Sequence, residues 1–330
     1  MALLTGALGP RVRAEAPLGP RCTYGVGGAA RVLVTIEDQA DLDRLAGVIG
    51  PRQVPTLVLG RGSNLLVADR GFDGVAVVLG RRFGEIEFSA DGLTAGAGAA
   101  LPVLARRSAA AGLRGFEWAV GVPGSLGGAV MMNAGGHGSD LAACLVEVEV
   151  ADLHRAGSVR WLAARELDLR YRHSNVGSAE IVLRARMRLE PGDAAQARAL
   201  VDDIVAWRRE NQPGGSNAGS VFTNPPGDSA GRLIEAAGAK GLRHRSAEVS
   251  TKHANFIQAD PGGSAQDVFE LMGRVQQLVA AHGGPWLQPE TRLVGFPSAP
   301  PAPAPEGHET PHRPPSDPAT GVDPAPSESP

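Results

Sequence analysis

Gly60-Arg61-Gly62-Ser63-Asn64-Leu65-Leu66-Val67 and Gly121-Val122-Pro123-Gly124-Ser125-Leu126-Gly127-Gly128-Ala129 decide how this chain is read. Each stretch follows or interrupts an apolar run and leaves several backbone N–H groups free of side-chain cover. A turn rich in Gly and Ser folds its amides into a concave nest that holds phosphate oxygens. One such loop reads as a tight surface turn. Two of them, with Asn64 and Asn133 as amide hydrogen-bonders, point to a ligand with two phosphates gripped from two sides, a nucleotide cofactor.

Working outward, short strands and helices alternate around these loops. Arg31–Ile36 reads as a strand, and Asp38 then caps a helix carrying Leu42, Leu45 and Ile49 on one face, stopped at Gly50-Pro51. Thr56–Leu59 feeds the first glycine loop and Val75–Leu79 is a further strand. Leu101–Ala111 is a helix with Pro102 in its first turn and Gly112 beyond its end. Strands return at Leu145–Ala151, Ser158–Leu162 and Ile181–Glu190. In the last, Arg184, Arg186 and Arg188 alternate with Ala185, Met187 and Leu189, which places a basic face in water and an apolar face inside. A second region opens with the helix Ala194–Asn211, followed by the helix Ala230–Ala237 and the strand His253–Ala259. Ser264 with Asp267 forms a capping box for a helix bearing Val268, Leu271, Val275 and Leu278, ended at Gly283-Gly284. The mixture is α+β, without the regular rhythm of a doubly wound sheet.

Length and composition set the outer bounds. The chain's 330 residues allow two domains or three, since single cores rarely grow beyond about 250 residues. Hydrophobic content of 43% and charged content of 20% describe ordinary globular material. A net charge of -3 gives no electrostatic reason to expect nucleic acid or an anionic membrane as partner. No apolar run is long enough to span a bilayer, and Arg11, Arg13 and Glu15 interrupt the place where a signal peptide keeps its apolar stretch. Cys22 and Cys144 form neither a metal-ligand spacing nor a disulfide framework, which suits a reducing cytoplasm. Prolines recurring from Pro297 to Pro330 among Ala, Ser, Glu and Asp predict a disordered tail.

Several motifs fail on context. Gly25-Val26-Gly27-Gly28-Ala29-Ala30 has the form G-x-G-x-x-A, but a dinucleotide fingerprint needs a strand before it and a helix after it, and here the strand follows. Gly238-Ala239-Lys240-Gly241 lacks the spacing and the Ser or Thr of a Walker A loop. The eight histidines are scattered, with no pair at helical spacing beside a carboxylate, so no metal site is expected. No G-x-S-x-G elbow is present. Three other segments are over-specified for packing alone: Tyr171-Arg172-His173-Ser174, Asn217-Ala218-Gly219-Ser220-Val221-Phe222-Thr223-Asn224-Pro225, and Gln288-Pro289-Glu290-Thr291-Arg292-Leu293. Taken singly, Arg172 reads as an ion-pair partner, Ser220 as a turn hydroxyl and Glu290 as a solvated charge.

Taken together and in this order, these segments resemble the UDP-N-acetylenolpyruvoylglucosamine reductases, the MurB family. The resemblance runs from Thr23-Tyr24-Gly25-Val26-Gly27-Gly28 to Phe296. It takes in both glycine loops, Met131-Met132-Asn133-Ala134-Gly135, Ala218-Gly219-Ser220-Val221-Phe222, Leu233-Ile234-Glu235 and Val249-Ser250-Thr251-Lys252-His253-Ala254-Asn255-Phe256. It implies a two-lobed FAD-binding domain of the vanillyl-alcohol-oxidase (PCMH) type followed by a smaller α+β substrate-binding domain. The expected bounds are a flexible N-terminus at 1–16, the FAD-binding domain at 17–192 with lobes at about 17–80 and 81–192, the substrate-binding domain at 193–296, and the tail at 297–330.

The resemblance also implies chemistry. FAD, held non-covalently, would be reduced by NADPH, and the enolpyruvyl ether of UDP-N-acetylglucosamine would then accept hydride. The cofactor contacts implied are Gly60, Gly62, Ser63, Asn64, Leu65, Gly121, Val122, Pro123, Gly124, Ser125, Gly127, Gly128 and Asn133. Arg172 would neutralise the charge that develops towards the substrate carboxylate. Glu290 would donate to the same carboxylate if burial keeps it protonated, and Ser220 would deliver a proton to C2. Tyr171, Asn224 and Gln288 are the implied substrate contacts. Thr223 stands where many relatives have Lys, and His137 where Tyr is frequent. The short stretch between Tyr171 and Ile181 implies the form without the long tyrosine-bearing substrate loop. The resulting picture is a cytoplasmic monomer acting on small molecules. Its rivals are an oxidase of the same superfamily with covalently attached flavin, His137 being the one candidate near a loop, and a catalytically silent flavin- or nucleotide-sugar-binding protein.

Overall fold

Two sheets built from the first 190 residues face the loops of a smaller C-terminal part. The structure, a computed structural model, describes residues 1–297; beyond residue 297 the expected tail lies outside the described residues. The first sheet runs in the order Val12–Pro17, Ala29–Ile36, Phe72–Leu79, Thr56–Val58. Its outer pair is antiparallel, while Ala29–Ile36 and Thr56–Val58 both lie parallel to Phe72–Leu79. Helix α1 (Ala2–Leu8) and helix α2 (Gln39–Ile49) cover one face of it, burying Leu4, Leu8, Leu42, Leu45 and Ile49. The Asp38 side chain accepts from the Asp41 amide and so starts α2, as read from the sequence.

The N-terminus is not flexible over 1–16. Val12–Pro17 pairs with Ala29–Ile36, and α1 places Leu4 and Leu8 at 5% and 2% exposure, so apolar burial and a strand ladder hold this segment down.

The second sheet is antiparallel throughout, in the order Arg160–Ala163, Leu145–Asp152, Glu180–Arg188, Gly92–Gly96, Ile86–Ser89. The alternation in Glu180–Arg188 holds: Ala185 and Met187 are buried, and the arginines between them are exposed. Two of those arginines meet carboxylates of the neighbouring strand, Arg184 with Glu149 at 2.9 Å and Arg186 with Glu147 at 3.0 Å. Helix α3 (Leu101–Ala110), helix α4 (Leu126–Met132) and helix α5 (Ala194–Asn211) share this sheet's core. The amphipathic face of α5 thus buries Ala197, Val201 and Ile204 beside α3.

The C-terminal part carries helix α6 (Ala230–Ala236), a three-stranded antiparallel sheet (Arg243–His244, Ala247–Val249, Ile257–Ala259) and helix α7 (Ala265–Ala281). The strand expected at His253–Ala259 is shorter, Ile257–Ala259, because the Phe256 amide turns back to His253 O at 3.0 Å. Ser264 caps α7, yet the capping box is only half made. The Asp267 carboxylate accepts from Ser246 instead of reaching back to the cap amide, which donates to Ser246 Oγ. Val268, Leu271, Met272, Val275 and Val279 of α7 are buried, each worth roughly 1.5–3 kcal/mol relative to exposure.

Two connections fasten this part to the first sheet's loops. Arg292–Val294 pairs in parallel with Leu65–Val67, the strand that leaves the first glycine loop. The Asp69 carboxylate accepts from Ser264 Oγ and from the amides of Ala265 and Gln266 at the start of α7. The G-x-G-x-x-A match has a packing reason. Gly27 has φ +114, and a Cβ there would meet Val67 O at 2.4 Å, so the turn needs bare backbone against the strand after the loop. No helix among the described residues is long and apolar enough to cross a membrane. The architecture is α+β, two sheets followed by a smaller α+β part, as the sequence implies.

Candidate active site

Both glycine loops open onto one cavity of about 990 Å³. Gly60, Gly62, Ser63, Asn64 and Leu65 line it from one side, and Gly121, Val122, Pro123, Gly124, Ser125, Gly127 and Gly128 from another. The loops approach closely. A Cβ on Gly60 would lie 2.4 Å from Ser125 Oγ, and one on Gly124 would lie 3.5 Å from Ser63 Oγ. Gly62, at φ +62, packs so tightly that a Cβ would fall 2.3 Å from Arg21 O and 2.7 Å from Cys22 Cα. None of the amides from Gly60 to Asn64 donates to another backbone carbonyl among the described residues. These donors are free for an acceptor from outside the chain. Arg21, Arg61, Arg81, Arg208 and Arg292 add positive charge to the lining. This donor set suits the phosphates of FAD, with Met131, Met132 and Leu79 among the apolar lining residues.

Asn64 has a structural task as well. Its Nδ2 donates to Glu290 O at 3.0 Å, and its own O accepts from the Arg292 amide at 3.0 Å. The first loop is thereby knitted to the segment carrying Glu290, residues more than two hundred positions away. Asn133 is a correction: it does not line the cavity. It takes the left-handed position after α4 at φ +38 and is 2% exposed. Its Nδ2 donates to Asp140 Oδ2 and Arg170 O, and its Oδ1 accepts from the Ala142 amide. Every polar atom of its side chain is spent on holding the chain turn that follows α4.

Arg172, Ser220 and Glu290 also line the cavity. Arg172 projects from a tight turn in which Arg170 and His173 exchange backbone hydrogen bonds, and Ser174 Oγ anchors that turn to Met131 O at 2.9 Å. Its φ of +55 is costly for a residue with a Cβ and is held by those neighbours. Its Nε donates to Glu290 Oε1 at 2.5 Å, and its Nη2 to Gly135 O at 3.3 Å. The pair is largely enclosed, with side-chain exposures of 22% for Arg172 and 13% for Glu290. Burial pushes the Glu290 carboxyl above its ordinary range, and the Arg172 guanidinium pulls it part of the way back.

Ser220 sits after Gly219, whose φ of +76 and Asn217-capped amide shape the turn. Asn255 fixes the residues beyond it. Its O accepts from the Val221 amide, its Oδ1 from the Phe222 amide, and its Nδ2 donates to Phe222 O. The Glu290 and Thr291 amides both donate to Val221 O, at 2.8 and 3.3 Å. Asn255 is therefore a positioning residue that role assignment from the sequence passed over, although the stretch around it carries the resemblance.

Tyr171, Asn224 and Gln288 do not line the cavity. Tyr171 is 55% exposed, its ring 4.9 Å beneath the Arg172 guanidinium and its hydroxyl 3.5 Å from the Asn224 amide. Asn224 Oδ1 accepts from the Ala230 amide at the start of α6, and Gln288 O accepts from the Thr223 amide and hydroxyl. The fold also assembles His244, Asp267 and Glu270 within 4.8 Å of one another, a grouping invisible in the sequence. Arg245 Nη1 already faces it, 3.4 Å from Asp267 Oδ1 and 3.6 Å from Glu270 Oε2.

Comparison with known proteins gives the family. Residues 30–163 match the family profile described as FAD binding domain, and residues 211–294 match UDP-N-acetylenolpyruvoylglucosamine reductase, C-terminal domain. The UDP-N-acetylenolpyruvoylglucosamine reductase of Acidiphilium cryptum is 43% identical over 288 residues, 87% of this chain and 92% of that protein. That of Heliobacterium modesticaldum is 43% identical over 284 residues, 85% of this chain and 90% of that protein. The crystal structure of UDP-N-acetylenolpyruvylglucosamine reductase (MurB) from Thermus caldophilus superposes with a TM-score of 0.75 at 37% identity, covering 86% of this chain and 99% of that one. The chain, with its FAD-binding domain and its matching C-terminal domain, belongs to the UDP-N-acetylenolpyruvoylglucosamine reductase family of oxidoreductases.

Proposed function

We propose that this chain is an NADPH-dependent flavoenzyme that reduces the enolpyruvyl group of UDP-N-acetylglucosamine enolpyruvate to give UDP-N-acetylmuramate. The observation that carries this reading is the Arg172–Glu290 pair, closed at 2.5 Å on the cavity that Ser220 and both glycine loops share. The loop residues 60–65 and 121–128, Asn133 excepted, would hold FAD non-covalently through backbone amides. When bound, FAD would supply a two-electron carrier able to take hydride from NADPH and pass it to C3 of the substrate.

The side chains handle charge and protons. Addition at C3 drives negative charge towards C2 and the substrate carboxylate. The Arg172 guanidinium offers that carboxylate a planar fork of donors. Glu290, whose burial favours the protonated form, would in that form donate to the same group. Ser220 gives its hydroxyl proton to C2 and regains one from solvent through the cavity, so the substrate gains one hydride and one proton. Residues 17–192 form the cofactor-holding part and 193–296 the substrate part, with α5 packed on the former while its C-terminal end lines the shared cavity. We place the protein in the cytoplasm as a monomer serving small-molecule substrates, with neither nucleic acid nor membrane as partner. The free, buried Cys22 and Cys144 suit a reducing compartment.

Anaerobic absorbance at the oxidised-flavin band tests the reading. NADPH is expected to bleach it, and the enolpyruvyl sugar to restore it. Bleaching without recovery would move the protein to the oxidase reading, and a colourless protein after added FAD would end the cofactor assignment. The cofactor loop has its own test. Gly62→Ala is expected to lower Tm by more than the few degrees that roughly 1–2 kcal/mol of left-handed backbone strain alone would give, because its Cβ would also press on the Arg21 and Cys22 backbone, and to weaken FAD retention. Unchanged Tm and FAD content in Gly62→Ala would show that the loop relaxes freely and does not grip the phosphates.

A further inference from the structure

The cavity has a third wall, at the C-terminal end of α5. Trp207 is 47% exposed there, although an indole gains more from burial than almost any side chain. Its ring meets that of His137 edge to face, with centroids 5.0 Å apart and planes at 86°. His137 is itself exposed and held at φ +52 between Gly136 and Gly138, in the region disfavoured for a residue with a Cβ. Both rings line the cavity.

Arg208, next to Trp207, shares this wall. Its Nε donates to Gln212 Oε1 at 2.7 Å, and no carboxylate pairs with it among the described residues. Burial pushes its guanidinium below the ordinary value, and burial together with Arg208 pushes the His137 imidazole down as well. The second glycine loop backs the group: a Cβ on Gly121 would lie 3.2 Å from both Arg208 Cδ and His137 Nε2. Two open aromatic planes at a right angle, with an unpaired guanidinium beside them, match a planar base joined to phosphate. The base stacks on one ring and presents its edge to the other.

We propose that the Trp207–His137 corner binds the heteroaromatic base of a nucleotide substrate entering the cavity, with Arg208 on its phosphates. This rests on the function proposed above, in which two exchangeable nucleotides visit the site, a uridine diphosphate sugar and an adenine dinucleotide phosphate. Both offer the same chemistry to the corner. Trp207 is here a specificity residue, distinct from Arg172, Ser220 and Glu290, which handle the reacting atoms.

Titration calorimetry on the FAD-loaded full chain, with UDP and separately with 2′,5′-ADP, tests this. Trp207→Ala is expected to weaken one of the two by about tenfold or more, and Trp207→Phe to keep most of the affinity, because it retains an aromatic face. Loss confined to UDP assigns the corner to the sugar nucleotide; loss confined to 2′,5′-ADP assigns it to the dinucleotide. Equal affinities in wild type and Trp207→Ala would overturn the proposal while leaving the functional reading intact. So would a Trp207→Ala protein that loses FAD, judged by its absorbance ratio, yet binds both nucleotides as the wild type does. A wild type that binds neither nucleotide overturns the functional reading, and the proposal with it.

Discussion

Ser220→Ala is expected to leave the reduction of bound flavin by NADPH at its wild-type rate. Reoxidation by the enolpyruvyl sugar should fall on the order of 10²–10⁴-fold, the usual worth of a positioned proton donor. The separation of the two half-reactions is the informative feature. NADPH delivers hydride without needing a proton at C2 of the sugar substrate, whereas the second half-reaction is incomplete without one. The assignment rests on position: Ser220 lines the cavity between a glycine at positive φ and a backbone clamped by Asn255. The backbone on either side of Ser220 is thus fixed while its hydroxyl faces the cavity. Rapid mixing of each half-reaction separately checks the result. Full-rate reoxidation in Ser220→Ala would remove the proton-donor role.

Glu290→Ala is expected to cost about 10²–10³-fold in turnover, the order found when one donor to a developing oxyanion is removed. Glu290→Gln, which retains a donor, should recover part of that loss. The pH behaviour follows from the geometry. Burial raises the Glu290 carboxyl and Arg172 opposes it, the net direction being upward. A carboxyl raised in the folded state contributes stability that is fully present below its unfolded pKa and lost as pH rises through the folded value. The stability of wild type relative to Glu290→Gln should therefore decline across that window and level off above it. Substrate sharpens the effect, because its carboxylate brings a second anion to Arg172 and favours protonation of Glu290. Affinity for the enolpyruvyl sugar should weaken with rising pH in wild type and stay flat in Glu290→Gln. Equal pH slopes in the two proteins would mean that Glu290 remains ionised when substrate is bound.

What could be read from the chain alone was what local physics controls. The two glycine loops were legible because exposed amides and absent Cβ atoms are written in the residues themselves. The caps at Asp38 and Ser264 and the alternation in Glu180–Arg188 were legible because periodicity and capping act within a few residues. The resemblance then supplied roles for Arg172, Ser220 and Glu290 that spacing by itself left dull. The N-terminal segment was misread because its few apolar residues, Leu4 and Leu8, gain their meaning only from the α2 surface they cover.

The tertiary structure decided everything that depends on distant partners. Arg172 and Glu290 are 118 positions apart and meet because long-range contacts fix each segment, among them the pairing of Arg292–Val294 with Leu65–Val67 and the Glu290 amide on Val221 O for one and Ser174 Oγ on Met131 O for the other. Asn133 has the right residue type beside the right loop, yet its amide is consumed by Asp140, Ala142 and Arg170. Asn64, alike in type, lines the cavity and ties it shut along one edge. A side-chain amide satisfies whatever buried donors and acceptors the fold leaves nearest to it. The chain alone therefore determined which loops could grip phosphate and which elements would form. Packing between segments far apart in sequence decided which polar groups stayed free to do chemistry.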